Sequence, residues 1–197
     1  DIYEIDLNTF FFNHWVFIGH VSRIPNIGDY FLFETGNESI IVINGSDNQI
    51  YAHHNVCRHR GSRVVAGIEG NCGQAIVCPF HGWTYHLDGV LKNVPRLDSF
   101  PNLDRFKEKL VPIDIEIWQG FIFVRFQQGD RSIAEQMSPV NDRIAPYRLP
   151  DLKPCQDAQL DRIPYNWKIF HDVDNEGYHV PSAHTALQEL YGRTYVE

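Results

Sequence analysis

Two short segments, each holding one cysteine and one histidine, constrain this chain more than any other feature of its sequence. The first reads "CRH" at residues 57–59, and the second reads "CPFH" at residues 78–81. A glycine-rich stretch lies between them and permits tight backbone turns. Thiolates and imidazoles at such short spacings are typical metal ligands. The fold is therefore expected to bring two loops together around a metal centre.

The order of the ligands separates two kinds of metal centre. Structural zinc sites often group like residues, as Cys-x2-4-Cys and His-x3-5-His. Here each segment contributes one Cys and one His, in the same order. A Rieske [2Fe–2S] centre needs two thiolates on one iron and two imidazoles on the other, a division that two similar loops supply. The pattern favours a Rieske centre, and a zinc-stapled binding module is the weaker alternative.

Strand-forming segments surround both loops. From about residue 14 to residue 130, runs of β-branched and aromatic residues alternate with turns rich in Gly, Asn and Asp. The main segments are YFLFE, SIIVIN, QIYAHHNV, AIVCPF, TYHLDGVL, VPIDIEIW and FIFVRF. After Gly129 the pattern changes to helical pieces broken by prolines, and then to a helix-compatible stretch from Asn166. We therefore predict an α+β chain, in which an antiparallel β domain precedes the start of a mixed α/β domain.

The two loops resemble the Rieske signature of the α subunits of aromatic-ring-hydroxylating oxygenases. The strings "CRHRG" and "CPFHGWTY" carry this resemblance. Respiratory Rieske proteins have an extra cysteine in each loop, where this chain has Ser62 and Phe80, so the resemblance is to the oxygenase and ferredoxin branch. We expect Trp83 to shield the cluster from water. The implied cluster ligands are Cys57, His59, Cys78 and His81.

A second motif, "NWKIFHDVDNEGYHVPSAH", lies at residues 166–184. On an uninterrupted helix His179 and His184 would lie about 140° apart, so we expect Pro181 to kink or break the helix between them and turn His184 back toward His179. The segment resembles the mononuclear-iron motif of the same family, which implies that both histidines bind iron. Glu176 matches the acid that usually connects this iron by hydrogen bonds to a cluster histidine of a neighbouring subunit.

Several positions qualify this resemblance. The linking acid is more often Asp, and a Glu is also found in carnitine-type members acting on quaternary amines. The family often has Asn where this chain has Asp172. The third iron ligand, a carboxylate, is expected beyond residue 197, and Glu189 is expected to be a solvated surface residue. The implied domains are 1–134, a Rieske [2Fe–2S] domain with a short lead-in, and 135–197, the beginning of the mononuclear-iron catalytic domain.

The resemblance implies an enzyme, the terminal oxygenase component of a Rieske-type mono- or dioxygenase. It would activate O2 at a mononuclear Fe(II), with electrons relayed through the Rieske cluster. The expected reaction is hydroxylation or oxidative demethylation of a small aromatic or quaternary-amine substrate. Electrons would come from NAD(P)H through a separate reductase or ferredoxin, and the subunit would form a homotrimer, with or without a β subunit. The alternative is a Rieske ferredoxin-type electron carrier without catalysis of its own.

Composition and charge argue against several other classes of protein. A net charge of −8 without a basic stripe argues against nucleic-acid binding. No apolar run reaches the ~18 residues that a membrane span needs. Four cysteines are too few for a disulfide framework, so a reducing cytoplasm is expected. The remaining thiols and imidazoles are expected to be structural: Cys72, Cys155, His14, His20, His53, His54, His86 and His171.

Overall fold

The computed structural model describes residues 1–127, 129, 131–153 and 164–191. The chain forms two compact units, residues 1–155 and residues 156–197. Antiparallel strands dominate the first unit, and the described part of the second unit is helical. The predicted α+β class is therefore confirmed, and the predicted domain division after residue 134 stays a prediction.

Three antiparallel sheets make up the first unit. The first sheet has the order β1 (Val16–His20), β10 (Phe121–Arg125) and β9 (Asp114–Trp118). The second sheet has the order β4 (Ile50–His54), β3 (Glu38–Asn44), β2 (Asp29–Thr35) and β5 (Glu69–Asn71). The third sheet has the order β6 (Ile76–Val77), β7 (Thr84–Tyr85) and β8 (Leu91–Asn93).

The central strand β3 separates two hydrophobic cores. Ile41 and Ile43 belong to one core, whereas Ile40 and Val42 belong to the other, because successive side chains of a strand point to opposite faces. All four side chains are fully buried. The first core contains the cysteines of both Cys/His loops, and the second contains the inner face of β10. The Cys/His loops are therefore built against one face of a rigid sheet.

The predicted hairpins are confirmed. Strands β2 and β3 pair from Tyr30 opposite Ile43 to the turn at Gly36, which has a φ of +58°. Strands β9 and β10 are joined by Gln119 and Gly120, both with positive φ, as a tight two-residue hairpin requires. These turns place the predicted strands in register.

Two strands, β1 and β5, are missing from the sequence prediction. Strand β1 contains an irregularity between Phe17 and Gly19, and it pairs with β10 more than 100 residues away along the chain. Strand β5 reads "EGN", which has low strand propensity, and it exists because it pairs with the edge of β2. Both strands depend on distant partners rather than on their own sequences.

Short helices flank the strands. A π-helical turn, Leu7–Phe11, follows the helix Ile2–Asp6. Turns of 3-10 helix follow the helices Ile133–Met137 and Asn141–Ile144. In the 3-10 turns that begin at Ser138, Ala145 and Leu149, a proline occupies one of the first two positions, as the predicted proline-broken pattern requires. Among the described helices, none is long and apolar enough to cross a membrane. The helices of the first unit are α1 (Ile2–Asp6), α2 (Ile133–Met137) and α3 (Asn141–Ile144).

The second unit contains α4 (Trp167–Asp174), α5 (Val180–Ala183) and α6 (Thr185–Tyr191). Asn166 caps α4, since its side chain accepts a hydrogen bond from the N–H of Lys168. The prediction that Pro181 breaks a helix is wrong. Pro181 lies within the first two positions of α5, where its missing N–H costs no helical hydrogen bond.

Candidate metal centres

The two Cys/His loops have the same backbone hydrogen bonds. In each loop the N–H of the cysteine donates to the carbonyl five residues later, at 2.8 Å. The carbonyl of the same cysteine accepts from the glycine four residues later, at 3.0 Å. These glycines, Gly61 and Gly82, have φ of +72° and +70°, a conformation that other residues rarely adopt. The loops at Cys57 and Cys78 are therefore structural copies, each presenting one thiol and one imidazole.

The four Cys and His side chains of these loops form two pairs. Cys57 and Cys78 are 3% and 2% exposed and lie beside each other, and burial raises the pKa of the Cys57 thiol. The rings of His59 and His81 have centroids 4.6 Å apart. The Nδ1 atom of His59 is buried and has no hydrogen-bond partner among the described residues. Two adjacent thiols, two adjacent imidazoles and an orphaned ring nitrogen fit the donor set of a Rieske cluster.

Two aromatic rings cover the imidazole side. Trp83 is 4% exposed and stacks on His59 with a centroid distance of 4.9 Å and an interplanar angle of 7°. Phe100 meets both rings edge-on. A cavity of about 390 Å3 opens beside His59 and His81 and is also lined by Arg96. Trp83 therefore covers one face of His59, and the cavity leaves another side of the imidazole pair accessible. The expected shielding of a cluster by Trp83 stays a prediction.

Tyr85 lies beside the first candidate centre, and the sequence analysis did not single it out. Its side chain is fully buried, and its hydroxyl lies 3.3 Å from the Sγ of Cys57. The hydroxyl oxygen accepts a hydrogen bond from the N–H of Arg58, which leaves the hydroxyl proton available for a hydrogen bond to the sulfur. Burial raises the pKa of Tyr85, which keeps the phenol protonated. The available signal was the final letter of "CPFHGWTY", seven residues after Cys78.

A single-ion site is not formed by these residues. Within the described part of the chain, no three or more His, Cys, Asp or Glu side chains gather in an arrangement that could hold one metal ion. Each iron of a Rieske centre takes only two protein ligands. The two thiols form one such pair and the two imidazoles form the other.

The second candidate centre brings His179 and His184 together. Their ring centroids lie 5.2 Å apart with the planes at 77°. His179 immediately precedes α5 and His184 immediately follows it, with a non-helical φ of −123°. The two histidines approach because both lie at the ends of one short helix, and not because a helix is broken between them.

Glu176 fixes the orientation of His179. One carboxylate oxygen of Glu176 accepts a hydrogen bond from His179 Nδ1, and the other accepts from the N–H of Tyr178 at 2.7 Å. The hydrogen bond from His179 holds the pKa of Glu176 below its ordinary value. Because Nδ1 carries the proton, the lone pair of Nε2 is free to bind a metal. This arrangement is the usual outer-shell support of a metal-ligating histidine.

A cavity of about 410 Å3 opens beside this pair. Besides the two histidines and Glu176, it is lined by Phe170 and Asp174, which the sequence reasoning did not assign to a site. Glu189 is exposed, as expected, and does not line this cavity. The predicted carboxylate ligand beyond residue 197 lies outside the described residues.

The other thiols and imidazoles show mainly structural contacts. His53 is 3% exposed, and burial lowers its pKa to about 4. His54, its neighbour, forms an ion-pair contact of 3.0 Å with Glu38. Burial raises the pKa of Cys72 to about 11, and this thiol packs against the first core. Cys155 lies outside the described residues.

Two family models match separate parts of the chain. Residues 14–107 match the Rieske [2Fe-2S] domain. Residues 143–195 match the ring hydroxylating alpha subunit (catalytic domain). The Cys/His loops lie within the first match, and the histidine pair with Glu176 lies within the second.

Curated relatives cover nearly the whole chain. It is 32% identical over 186 residues to the glycine betaine monooxygenase oxygenase subunit of Chromohalobacter salexigens, covering 94% of this chain and 41% of that protein. It is also 32% identical over 189 residues to the carnitine monooxygenase oxygenase subunit of Escherichia coli K12, covering 95% and 50%. The chain therefore spans about half the length of the relatives it matches.

Solved structures agree with the sequence relatives. The quaternary ammonium Rieske monooxygenase CntA in complex with L-carnitine superposes with a TM-score of 0.85 at 29% identity, covering 94% of this chain and 53% of that one. Naphthalene 1,2-dioxygenase, as a variant bound to phenanthrene, superposes with a TM-score of 0.77 at 29% identity, covering 94% and 43%.

Proposed function

We propose that this chain, which belongs to the α subunits of the Rieske oxygenases, forms the N-terminal part of a terminal oxygenase component. The observation that carries the proposal is the presence of two different candidate centres in one chain. The Cys/His loops suit electron storage, and the His179 and His184 pair with Glu176 suits a catalytic iron. An oxygenase needs both centres, whereas an electron carrier needs only the first.

The geometry of each centre supports a set of residue assignments. In the first, two thiols and two imidazoles would hold a [2Fe–2S] cluster, namely Cys57, Cys78, His59 and His81. In the second, His179 and His184 would hold a mononuclear iron, with a third carboxylate ligand from beyond residue 197. The corresponding domains would be residues 1–134 and residues 135–197.

The bound groups would supply one-electron storage and the activation of O2 next to a substrate. The chain supplies the surroundings for this chemistry. Trp83 covers one face of His59, and the Tyr85 hydroxyl would donate a hydrogen bond to the thiolate of Cys57 when the cluster is bound. Glu176 keeps the proton of His179 on Nδ1. The cavity beside the histidine pair leaves room for a small organic substrate.

The substrate class is a small quaternary amine. The curated relatives are named for glycine betaine and carnitine, and one solved relative is a quaternary ammonium Rieske monooxygenase. Glu176 agrees with this class, since a Glu at the linking position resembles the carnitine-type members. The likeness to naphthalene 1,2-dioxygenase keeps an aromatic substrate as the second candidate. The reaction would be hydroxylation or oxidative demethylation, with electrons from NAD(P)H through a reductase or ferredoxin.

Electron transfer would cross a subunit boundary in a homotrimer. One solved relative is described in terms of inter-subunit electron transfer. Three subunits in a head-to-tail ring would place a cluster of one subunit beside the iron of the next at every interface. Glu176 would then accept hydrogen bonds from His179 of its own chain and from His59 or His81 of the neighbour.

A mixing experiment tests the proposal. The Cys57→Ser variant should lack a working cluster, and the His179→Ala variant should lack the mononuclear iron. Each alone should be inactive, but mixed trimers should regain part of the O2-dependent turnover, because some interfaces pair an intact cluster with an intact iron. Demonstrably mixed trimers without recovery would refute the inter-subunit route.

The role of Glu176 is tested by Glu176→Gln, which retains the size of the side chain and removes its charge. Both metal sites should remain loaded, and electron transfer between them, followed by single-turnover spectroscopy, should slow. Unchanged electron transfer would contradict the assignment. Normal turnover by the His179→Ala variant would instead favour the electron-carrier alternative.

A further inference from the structure

The cavity beside the histidine pair carries a carboxylate that the proposed iron chemistry does not use. Asp174 is the last residue of α4 and lines this cavity together with Glu176. The carboxylate of Glu176 is oriented by hydrogen bonds from His179 and from the N–H of Tyr178. The Asp174 carboxylate has no hydrogen bond or ion pair within the described residues. This carboxylate lies at the wall of the cavity, on the side of α4.

An aromatic ring lies on the same face of the helix. Phe170 and Asp174 are four residues apart on α4, which places them side by side. Both line the cavity, and Phe170 is 57% exposed. The face of an aromatic ring attracts organic cations, and an adjacent carboxylate supplies the opposite charge. This combination suits a positively charged group.

The position of Asp174 is unfavourable for the helix itself. The C-terminal end of a helix carries a partial negative charge, so an acidic side chain there is repelled. The last turn of α4 contains Asp172 and Asp174, and its only basic residue is His171. Helix stability alone therefore does not explain an acidic side chain at this position, and Asp174, unlike Asp172, lines the cavity. The same helix end favours a cation in the cavity.

We infer that Asp174 and Phe170 bind the cationic head of the substrate and hold it beside His179 and His184. This inference rests on the proposed function and deepens it, because it assigns the recognition of the quaternary ammonium group to named residues. A quaternary nitrogen has no N–H to donate, so it is recognised by charge and by an aromatic surface rather than by hydrogen bonds. Asp174 determines substrate specificity and is distinct from the proposed metal ligands.

The experiment measures binding rather than turnover. Glycine betaine and its uncharged-head isostere tert-butylacetate, in which carbon replaces nitrogen, are titrated into the full-length, metal-loaded oxygenase without O2. Carnitine and its corresponding carbon isostere form a second pair. Wild-type protein should bind one of the cations more tightly than its isostere, and the dissociation constants follow from calorimetry.

Asp174→Asn should weaken binding of that cation by about tenfold or more and leave the isostere unchanged, since the lost term is electrostatic. Phe170→Leu should weaken cation binding by roughly two- to fivefold. Asp172→Asn is the matched control, because it removes the same charge from the same helical turn but does not line the cavity. It should stay within about twofold of wild type.

Three outcomes would overturn the inference. Equal losses for the cation and its isostere would show a general disruption, and an unchanged preference in Asp174→Asn would remove the proposed role. A loss of mononuclear iron in Asp174→Asn would make Asp174 a metal ligand instead. Absence of cation binding to wild-type protein would overturn both proposals.

Failure of the proposed function can be told apart from failure of this inference. If wild-type protein discriminates the cation as expected but consumes no O2 with any quaternary amine, the proposed function fails and the binding assignment stands. If wild-type protein turns over and Asp174→Asn discriminates normally, only the present inference fails.

Discussion

The two candidate centres of this chain differ in how they are built. The thiols of the first are almost fully buried and lie in paired loops against a β-sheet core. The second consists of exposed or half-buried side chains at the ends of short helices. The first centre therefore lies in a packed core, whereas the described residues of the second lie at the surface of the part of the chain that the structure describes.

The residues that support each centre also differ in where they lie along the chain. At the first centre, the Tyr85 hydroxyl and the Trp83 ring contact ligand atoms directly and come from elsewhere in the same sheet unit. At the second, Glu176 supports His179 from only three residues away. The first centre is therefore determined by tertiary packing, and the described part of the second by local chain geometry.

The largest expected effect is the loss of the first centre. Cys57→Ser or Cys78→Ser should remove about two irons and two sulfides per chain, because a hydroxyl does not replace the thiolate ligand. Visible absorption and metal analysis measure this loss. Cys72→Ser is the control, since Cys72 lies outside both loops and should retain full colour. A fully loaded Cys57→Ser protein would contradict the assignment.

The second centre should be removable without disturbing the first. His179→Ala or His184→Ala should abolish the mononuclear iron and O2-dependent turnover while the Rieske absorption remains, since the two sets of ligands are separate. Iron content and visible spectra of the same preparation test this. His171→Ala, on α4 but outside the cavity lining, should retain the iron. Joint loss of both centres would show that they are not independent.

Acid should lower the folding stability of the first unit through protonation of the buried His53. Its pKa is lowered by burial from 6.5 to about 4, so the unfolded chain binds the proton first as the pH falls. The stabilisation is complete above pH 6.5 and is lost as the pH falls to about 4, by at most about 3 kcal/mol.

Urea unfolding of the first unit at several pH values measures this dependence. His53→Gln should flatten the slope between these limits, and His14→Gln, at an exposed position, should not. Parallel slopes for wild type and His53→Gln would assign the acid sensitivity to other groups.

The smallest expected effect concerns Tyr85. A hydrogen bond donated to a cluster thiolate stabilises the reduced, more negative state, so Tyr85→Phe should lower the midpoint potential. One hydrogen bond of about 1 kcal/mol corresponds to roughly 40 mV for one electron. Spectroelectrochemistry measures the shift. Tyr51→Phe removes a hydroxyl that donates to Asp47 instead and should leave the potential unchanged. An unchanged potential in Tyr85→Phe would show that this hydrogen bond does not tune the cluster.

Much of the fold could be read from local patterns. The hairpin of β2 and β3 was predictable because apolar runs and a glycine turn are contiguous in the sequence. Strand β1 was not, since it pairs with β10 across the chain and contains Gly19. The error at Pro181 has a similar cause, because a proline that can end one helix can also begin another.

The sequence by itself determined which side chains are available as ligands, since spacing and residue type are local properties of the two motifs. Only the tertiary structure decided which atoms support them. The contact of Tyr85 with Cys57 joins residues of β7 and of the first loop, and it depends on how the sheets pack. The shared cavity of Asp174 and His184 depends on how α4 and α5 are placed. Ligand identity is encoded along the chain, whereas distances between segments arise from the packing of the folded protein.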